Sequence, residues 1–294
     1  MAGRAQGAVA AVTGGGFHGG ASGLAAGPRP PLLVATDLDG TIVRTDGSVS
    51  GRTVETIERL EKAGAVFVMV TGRPPRWMAP VAQETGHRGL AVCANGALIY
   101  DMHTERVVRS HLLDPETARE VVEGLRRDVP SIAFAVEKGP TDGMPGGFAR
   151  EDSYIPWWDN GDVAVEHIAM MLAGGAVKLL ARVQDMDSDE LLGLARASIG
   201  DLAELTHSSF GGLLEISAAG VSKASGLASL AEERGIVADD VIAFGDMPND
   251  LPMLSWAGHS VGMANGHAEV LALVDEVTVS NDDDGVAVVL ERWF

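Results

Sequence analysis

The sequence predicts an α/β fold in which a parallel sheet is interrupted by an inserted α+β module. Three observations carry this. Residues 32–72 read as strand, helix, strand, which calls for a parallel pair joined by a right-handed crossover. The same alternation resumes over 224–292. Between them, 114–217 mixes helical and strand-like runs with Gly- and Pro-containing loops, a pattern that suits a separate α+β unit.

Taken in order, Leu32–Ala35 is a short apolar run and reads as a buried strand. From Thr53 to Lys62, Val54, Ile57 and Leu60 fall at helical spacing, and Gly64 suits the helix end. Ala65–Val70 (AVFVMV) is a second strand that stops at Thr71-Gly72-Arg73-Pro74. A helix at 76–85, a strand at 90–93 and an Asn95-Gly96 turn follow. Over 97–113 two β-prone runs flank a polar turn, the signature of a hairpin. The inserted segment has helical runs near 115–127, 162–173 and 187–198, strand-like runs at 132–137, 177–183 and 213–217, and a loop, KGPTDGMPGG, at 138–147. Ala224–Arg234 is then helical, and Asp240–Phe244 is a strand ending at Gly245-Asp246. Runs at 259–263 and 276–279 complete the sheet, and 284–292 closes as a helix. Residues 1–30, rich in Gly and Ala with no continuous apolar stretch, read as a flexible tail and not a secretory signal.

Composition narrows the function classes. Hydrophobic residues make up 46% of the 294, ample for a packed core. A net charge of −19 disfavours nucleic-acid phosphates and anionic membranes as partners. A small anionic substrate fits such a chain where a metal ion offsets the field. The lone Cys93 excludes an internal disulfide and fits a reducing cytoplasm, and its apolar neighbours mark it as a core residue. No apolar run reaches the roughly 18 residues that span a bilayer. The eight histidines show neither HxH nor HExxH spacing, so a zinc site is not expected.

Three of the apolar strands end in chemically useful side chains: Asp37 and Asp39, Thr71, and Asp246. Ligands of open parallel sheets bind at the carboxyl ends of strands, so these residues should converge. Lys223, just before a helix, can reach the same edge. Clustered carboxylates suit an oxygen-seeking Mg²⁺ that also binds substrate phosphate. An aspartate can attack phosphorus, and a second can move the proton. Asp37–Gly40 also has a plain reading as a turn. An EF-hand reading fails, because the loop positions that need an oxygen ligand, Gly and Glu are Thr41, Ile42 and Ser48.

Four motifs in order, DLDGT at 37–41, VTGRP at 70–74, Lys223 in GVSK and GDMPND at 245–250, resemble the haloacid dehalogenase superfamily. The likeness is closest to its Cof-type sugar-phosphate phosphatases with a C2B (IIB) cap, and it covers about 32–294. NGALIYD at 95–101, LEIS at 214–217, GMAN at 262–265 and SNDDDGVA at 280–287 match as well. The resemblance implies a Rossmann-like core from 31–113 and 218–294, with a cap domain at 114–217. It implies Asp37 as nucleophile and Mg²⁺ ligand, and Asp39 as general acid/base that binds the metal through its carbonyl. Thr71, Gly72 and Asn249 would bind phosphate, Lys223 would steady nucleophile and phosphate, and Asp246 would ligate Mg²⁺. Asp250 would orient the metal shell through water. A carboxylate at Asp39 favours phosphoryl transfer, because relatives acting on carbon–halogen bonds typically lack one there.

The expected activity is therefore Mg²⁺-dependent hydrolysis of small phosphorylated metabolites. A phosphotransferase or mutase would share every core residue, and a non-catalytic sensor would be expected only if one were missing. In the cap, the Trp157–Trp158 pair reads as a ring-stacking platform, as core or as interface. Arg73 and Arg76 follow the second strand; Arg73, part of the VTGRP motif, reads as a site residue or an ion-pair partner, and Arg44 as a surface residue.

Overall fold

The structure, a computed structural model, describes residues 29–156 and 163–294. Most of the expected tail and the Trp157–Trp158 pair lie outside the described residues.

β1 (Leu33–Thr36) is buried at every position, as a strand covered on both faces requires. α1 (Gly51–Lys62) starts at Ser50, whose hydroxyl accepts the Thr53 N–H, and turns Ile57 and Leu60 inward. β2 (Val66–Val70) returns parallel to β1, with Leu33 opposite Val66. A short 3₁₀ turn at Pro75–Trp77 and α2 (Ala79–Thr85) lead to β3 (Leu90–Cys93), parallel to β2. β4 (Leu98–Asp101) and β5 (Arg106–Ser110) form the expected hairpin, antiparallel to each other, and β4 is antiparallel to β3.

The chain then builds a second sheet. α3 (Pro115–Asp128) is capped by Asp114, which accepts from the Glu116 and Thr117 N–H groups. β6 (Ala133–Lys138), β7 (Phe148–Arg150), β8 (Ala164–Val165), α4 (Ile168–Met171), β9 (Ala176–Arg182), α5 (Ser188–Ile199), β10 (Ala203–Thr206) and β11 (Leu213–Ala218) follow. Their order is β10-β11-β9-β6-β7-β8. Side-chain alternation gives this sheet two different faces. Phe134 and Val136 of β6, Leu179 and Ala181 of β9, and Leu214 and Ile216 of β11 pack with α3 and α5. The intervening Glu137, Lys178, Leu180, Leu213 and Glu215 line a cavity on the other face.

α6 (Lys223–Glu233), β12 (Val241–Gly245), α7 (Leu251–Trp256), β13 (His259–Gly262), α8 (Ala268–Leu273), β14 (Glu276–Val277) and α9 (Gly285–Leu290) return the chain to the first sheet. The first sheet runs β14-β13-β12-β1-β2-β3-β4-β5, so β1 is central, between β12 and β2. This is a Rossmann-like parallel sheet with an α/β cap inserted between β5 and α6.

One expected element differs. The helix anticipated over 162–173 shrinks to the four residues of α4, because Ala164–Val165 instead pairs with β7 and Gly174-Gly175 stops the helix, Gly175 at φ 77°. β7, β10, α7 and α8 were not anticipated; each is short, and short runs carry little periodicity.

A close approach joins the two passes of the chain beside the site. Gly96 has φ 100°, and a Cβ there would lie 2.0 Å from the Ser222 carbonyl oxygen, immediately before Lys223. Gly47 has φ 86° but open space around it. A left-handed non-glycine residue costs about 1–2 kcal/mol, and forced overpacking adds about 1–3 kcal/mol. Gly96→Ala should therefore destabilise the protein by roughly 2–5 kcal/mol in urea unfolding, and Gly47→Ala by only the backbone share. Equal losses would show that the approach to Ser222 is not constraining.

Candidate active site

The site begins with strand register. β1 and β12 are parallel neighbours, with Thr36 opposite Phe244, so Asp37 and Asp246 leave the sheet at the same edge. The Asp37 N–H donates to the Phe244 carbonyl at 3.0 Å. Gly40, at φ 79°, lets the chain fold over Asp246: a Cβ there would sit 2.2 Å from Asp246 Oδ2. Thr41 Oγ1 donates to Asp246 Oδ1 at 3.1 Å. Lys223 opens α6, held by a capping box between Ser222 and Ser225. Its fully buried ammonium donates to Asp37 Oδ1 at 2.6 Å and to Asp250 Oδ1 at 2.5 Å. Asp250 Oδ2 accepts from the backbone N–H groups of Asp246 and Met247 at 2.9 and 3.0 Å.

Three buried carboxylates thus share one buried cation. Burial, against the opposing Lys223 charge and reinforced by Asp250 and Asp39, pushes Asp37 up to about 7. Burial and the charges of Asp37 and Asp250 push Asp246 up to about 9. Burial works against the charge on Lys223, but Asp250 and Asp37 outweigh it and hold its pKa above the ordinary value. The carboxylates of Asp37, Asp246 and Asp250 lie close enough to hold one metal ion. The all-oxygen donor set and the uncompensated negative charge fit a hard divalent cation. Asp250 has both oxygens engaged by donors, whereas Asp37 and Asp246 each keep one oxygen, Oδ2, outside these hydrogen bonds and free to ligate an ion.

Thr71 directly follows β2, and its loop is tied to β3: the Thr71 N–H donates to Val92 O at 2.8 Å and the Asn95 N–H to Thr71 O at 3.0 Å. Thr71 Oγ1 accepts the Arg73 N–H at 3.0 Å. Arg73 then forks onto Asp39, Nε to Oδ2 at 2.7 Å and Nη2 to Oδ1 at 2.5 Å. Asp37, Asp39, Thr71, Gly72, Arg73 and Asn249 line a cavity of about 270 Å³ beneath the cap. The structure places Asp37, Asp39, Thr71, Gly72 and Asn249 around this cavity, with Lys223 and Asp250 paired beside Asp37 and Asp246 clustered with them.

Further side chains pair around the cavity; sequence reasoning singled out Arg76 among them but not Glu137, Lys178 or Glu215, which line it, nor Asn95. Arg76 of the core grips Glu137 of β6 at 2.5 and 2.7 Å. Lys178 of β9 donates to the Gly72 carbonyl at 2.8 Å and to Glu215 of β11 at 2.7 Å. Glu215 also accepts from Asn95 Nδ2 at 2.8 Å. Burial alone would raise the Glu215 pKa; Lys178 and Asn95 outweigh that and hold it below the ordinary value. Asn95 and Glu215 lie in the matching stretches NGALIYD and LEIS, but nothing local marks Lys178 in VKLLAR. Arg44, read as a surface residue, is half-buried and paired with Asp284 at 2.6 Å. Cys93 is buried, and burial pushes its thiol up, away from thiolate chemistry.

Comparison with known proteins agrees with this geometry. The family model of the haloacid dehalogenase-like hydrolases matches residues 34–290. Two 5-amino-6-(5-phospho-D-ribitylamino)uracil phosphatases of Bacillus subtilis (strain 168) are 28% and 30% identical, over 90% and 88% of this chain and 98% and 96% of their own. The fold is shared with a solved subclass IIB sugar phosphatase at a TM-score of 0.73 and 17% identity, over 89% of this chain and 98% of that one. With its strand-end carboxylates, buried lysine and inserted α/β cap, the chain belongs to the haloacid dehalogenase-like hydrolase family, as one of its capped phosphoric monoester hydrolases.

Proposed function

We propose that this chain is a Mg²⁺-dependent phosphatase of small phosphorylated metabolites, sugar phosphates foremost, acting through an aspartyl-phosphate on Asp37. One observation carries the reading. Asp37 lines a cavity with one carboxylate oxygen held by Lys223, while Asp39 stands at the same wall and Thr71, Gly72 and Asn249 surround them.

In the first half-reaction an Asp37 oxygen attacks phosphorus, the bond from phosphorus to the leaving oxygen breaks, and Asp39 gives that oxygen a proton. In the second, Asp39 takes a proton from water as the water attacks the aspartyl-phosphate, which frees phosphate and restores the Asp37 carboxylate. Lys223 neutralises Asp37 and keeps it from pointing elsewhere. Thr71, the Gly72 backbone and Asn249 meet the phosphoryl oxygens. Asp37, Asp246 and the Asp39 carbonyl would hold Mg²⁺, which supplies positive charge against the transferring group. Arg73 holds Asp39 at the cavity wall, so the proton carrier is oriented before substrate arrives.

The substrate class rests on cavity size, charge and relatives. About 270 Å³ suits a phosphate on a small leaving group, and the cap wall sets the polar groups of Glu137, Lys178, Ser208 and Glu215 beside the apolar Leu180 and Leu213. A net charge of −19 argues against a polyanionic partner. The Bacillus subtilis relatives act on a phosphorylated ribitylamino compound, itself a small phosphometabolite. The single reduced thiol, buried in the core, supports a cytoplasmic setting.

With 4-nitrophenyl phosphate as substrate, activity should require added Mg²⁺ and vanish in chelator, and Asp37→Asn should abolish it. Full activity in that variant would sink the mechanism. Asp39→Asn should separate the half-reactions, since general acid–base catalysis is worth about 10²–10⁴-fold. Nitrophenolate leaves without much help, so stopped flow should show a burst of about one equivalent per site followed by a turnover slowed about 10²-fold or more. A linear, burst-free trace at the wild-type rate would remove Asp39 from the mechanism.

A further inference from the structure

We propose that the cap supplies positioning residues to the phosphate site: Lys178 and Glu215 hold the Gly72 carbonyl and, through Asn95, the amide of Asn249, so the core's phosphate contacts are in register only with the cap seated. This rests on the phosphatase reading, because it assumes that phosphate binds between Thr71-Gly72 and Asn249.

Four buried side chains form a chain from cap to core. Glu215 is 4% exposed, Lys178 3%, Asn95 3% and Asn249 5%. Glu215 Oε1 accepts from Lys178 and Oε2 from Asn95 Nδ2. Asn95 Oδ1 in turn accepts from Asn249 Nδ2 at 3.2 Å. The chemistry allows this order in one sense only. An ionised carboxylate accepts and does not donate, so Asn95 must turn its NH₂ towards Glu215 and its oxygen towards Asn249. Asn249 must then turn its own NH₂ inward, and its Oδ1 is left buried without a partner.

The direction matters for phosphate. A Cβ placed on Gly72 would lie 3.1 Å from Asn95 Oδ1, 3.5 Å from Asn249 Nδ2 and 3.5 Å from Glu215 Oε2, so the chain passes directly over the phosphate loop. Asn249 presents the donor end of its amide there, with one N–H given to Asn95 and one left for an anion. Were Asn95 free to flip, Asn249 could flip with it and offer a carbonyl oxygen to phosphate. The backbone is shaped for this task. Ala94, Asn95 and Gly96 all have positive φ, at 49°, 56° and 100°. This left-handed stretch is unfavourable for Ala94 and tolerated by Asn, and it aims Asn95 between Glu215 and Asn249.

Lys178 and Glu215 sit on neighbouring strands of the cap sheet, β9 and β11, so the pair moves with the cap. Their contacts to Gly72 O and Asn95 both cross to the core. Seating the cap therefore orders two phosphate-contacting groups together, one through each member of the pair. Both are positioning residues: neither needs to touch the substrate.

The test uses the full-length Mg²⁺-loaded protein with 4-nitrophenyl phosphate as substrate and inorganic phosphate as competitor. Glu215→Gln removes the acceptor-only constraint. Losing a hydrogen bond to a charged group should raise the Ki of inorganic phosphate about tenfold or more. The Mg²⁺ concentration for half-maximal activity should stay unchanged. In an Asn249→Ala background the same substitution should raise Ki no further, because its effect passes through Asn249. Asn95→Ala, which leaves the cap pair intact, should reproduce the Glu215→Gln shift even if the latter folds poorly. An unchanged Ki with only a lowered unfolding midpoint, or a Glu215→Gln effect undiminished without Asn249, would overturn the proposal. Calorimetric titration of inorganic phosphate keeps the two readings apart. No wild-type turnover sinks the phosphatase reading, whereas equal phosphate affinity in wild type and Glu215→Gln sinks the relay.

Discussion

The ammonium of Lys223, with no contact to water, sits between Asp37 and Asp250, and the rest of the site is arranged around that buried charge. A lone buried cation would be untenable, as would three buried carboxylates without it. Each stabilises the other, and the arrangement ties together three distant parts of the chain. β1 brings Asp37, α6 brings Lys223, and the turn after β12 brings Asp250, whose second oxygen caps two backbone N–H groups of that same turn. Four groups so constrained have little rotamer freedom left. The site is organised before any ligand enters, as electrostatic stabilisation of a transferring phosphoryl group requires.

That arrangement depends on atoms that are missing. Gly40 passes over Asp246, Gly96 meets the carbonyl that precedes Lys223, and Gly226 lies where a Cβ would reach 2.6 Å from Val92 Cγ1. Side chains at these three places would push apart the strand ends and the helix that carry the charged groups. The glycines hold the geometry by what they leave out.

Much of this was legible in the sequence. β1, β2 and β12 are short apolar runs bounded by turn residues, and such runs read as buried parallel strands. The expected site residues announce themselves because each follows a strand end or opens a helix. The relay was hidden for a physical reason. Asn95 and Glu215 are 120 residues apart, Lys178 and Gly72 106, and no local pattern records a pairing made across two sheets. Lys178 looks like one polar residue in an apolar strand, and only the alternation of sheet faces turns it towards the cavity. The partners of Arg73 and Arg76 were open for the same reason, and they prove to be Asp39 in the core and Glu137 in the cap.

The seam between cap and core is made largely of polar contacts. Arg76 meets Glu137, Lys178 meets the Gly72 carbonyl, Asn95 meets Glu215, and Asp189 of α5 meets His267 before α8. The apolar residues of the cap mostly gather in clusters of their own, with Val177 the buried exception that joins the core's. Groups of this kind can trade protein partners for water with small net change. Lifting the cap would therefore bare carboxylates, amides and ammonium groups beside the apolar side chains of the cavity, Trp77, Leu180, Leu213 and Met247 among them. A cap that parted from the core along such a seam would offer its surroundings mainly groups that water can satisfy.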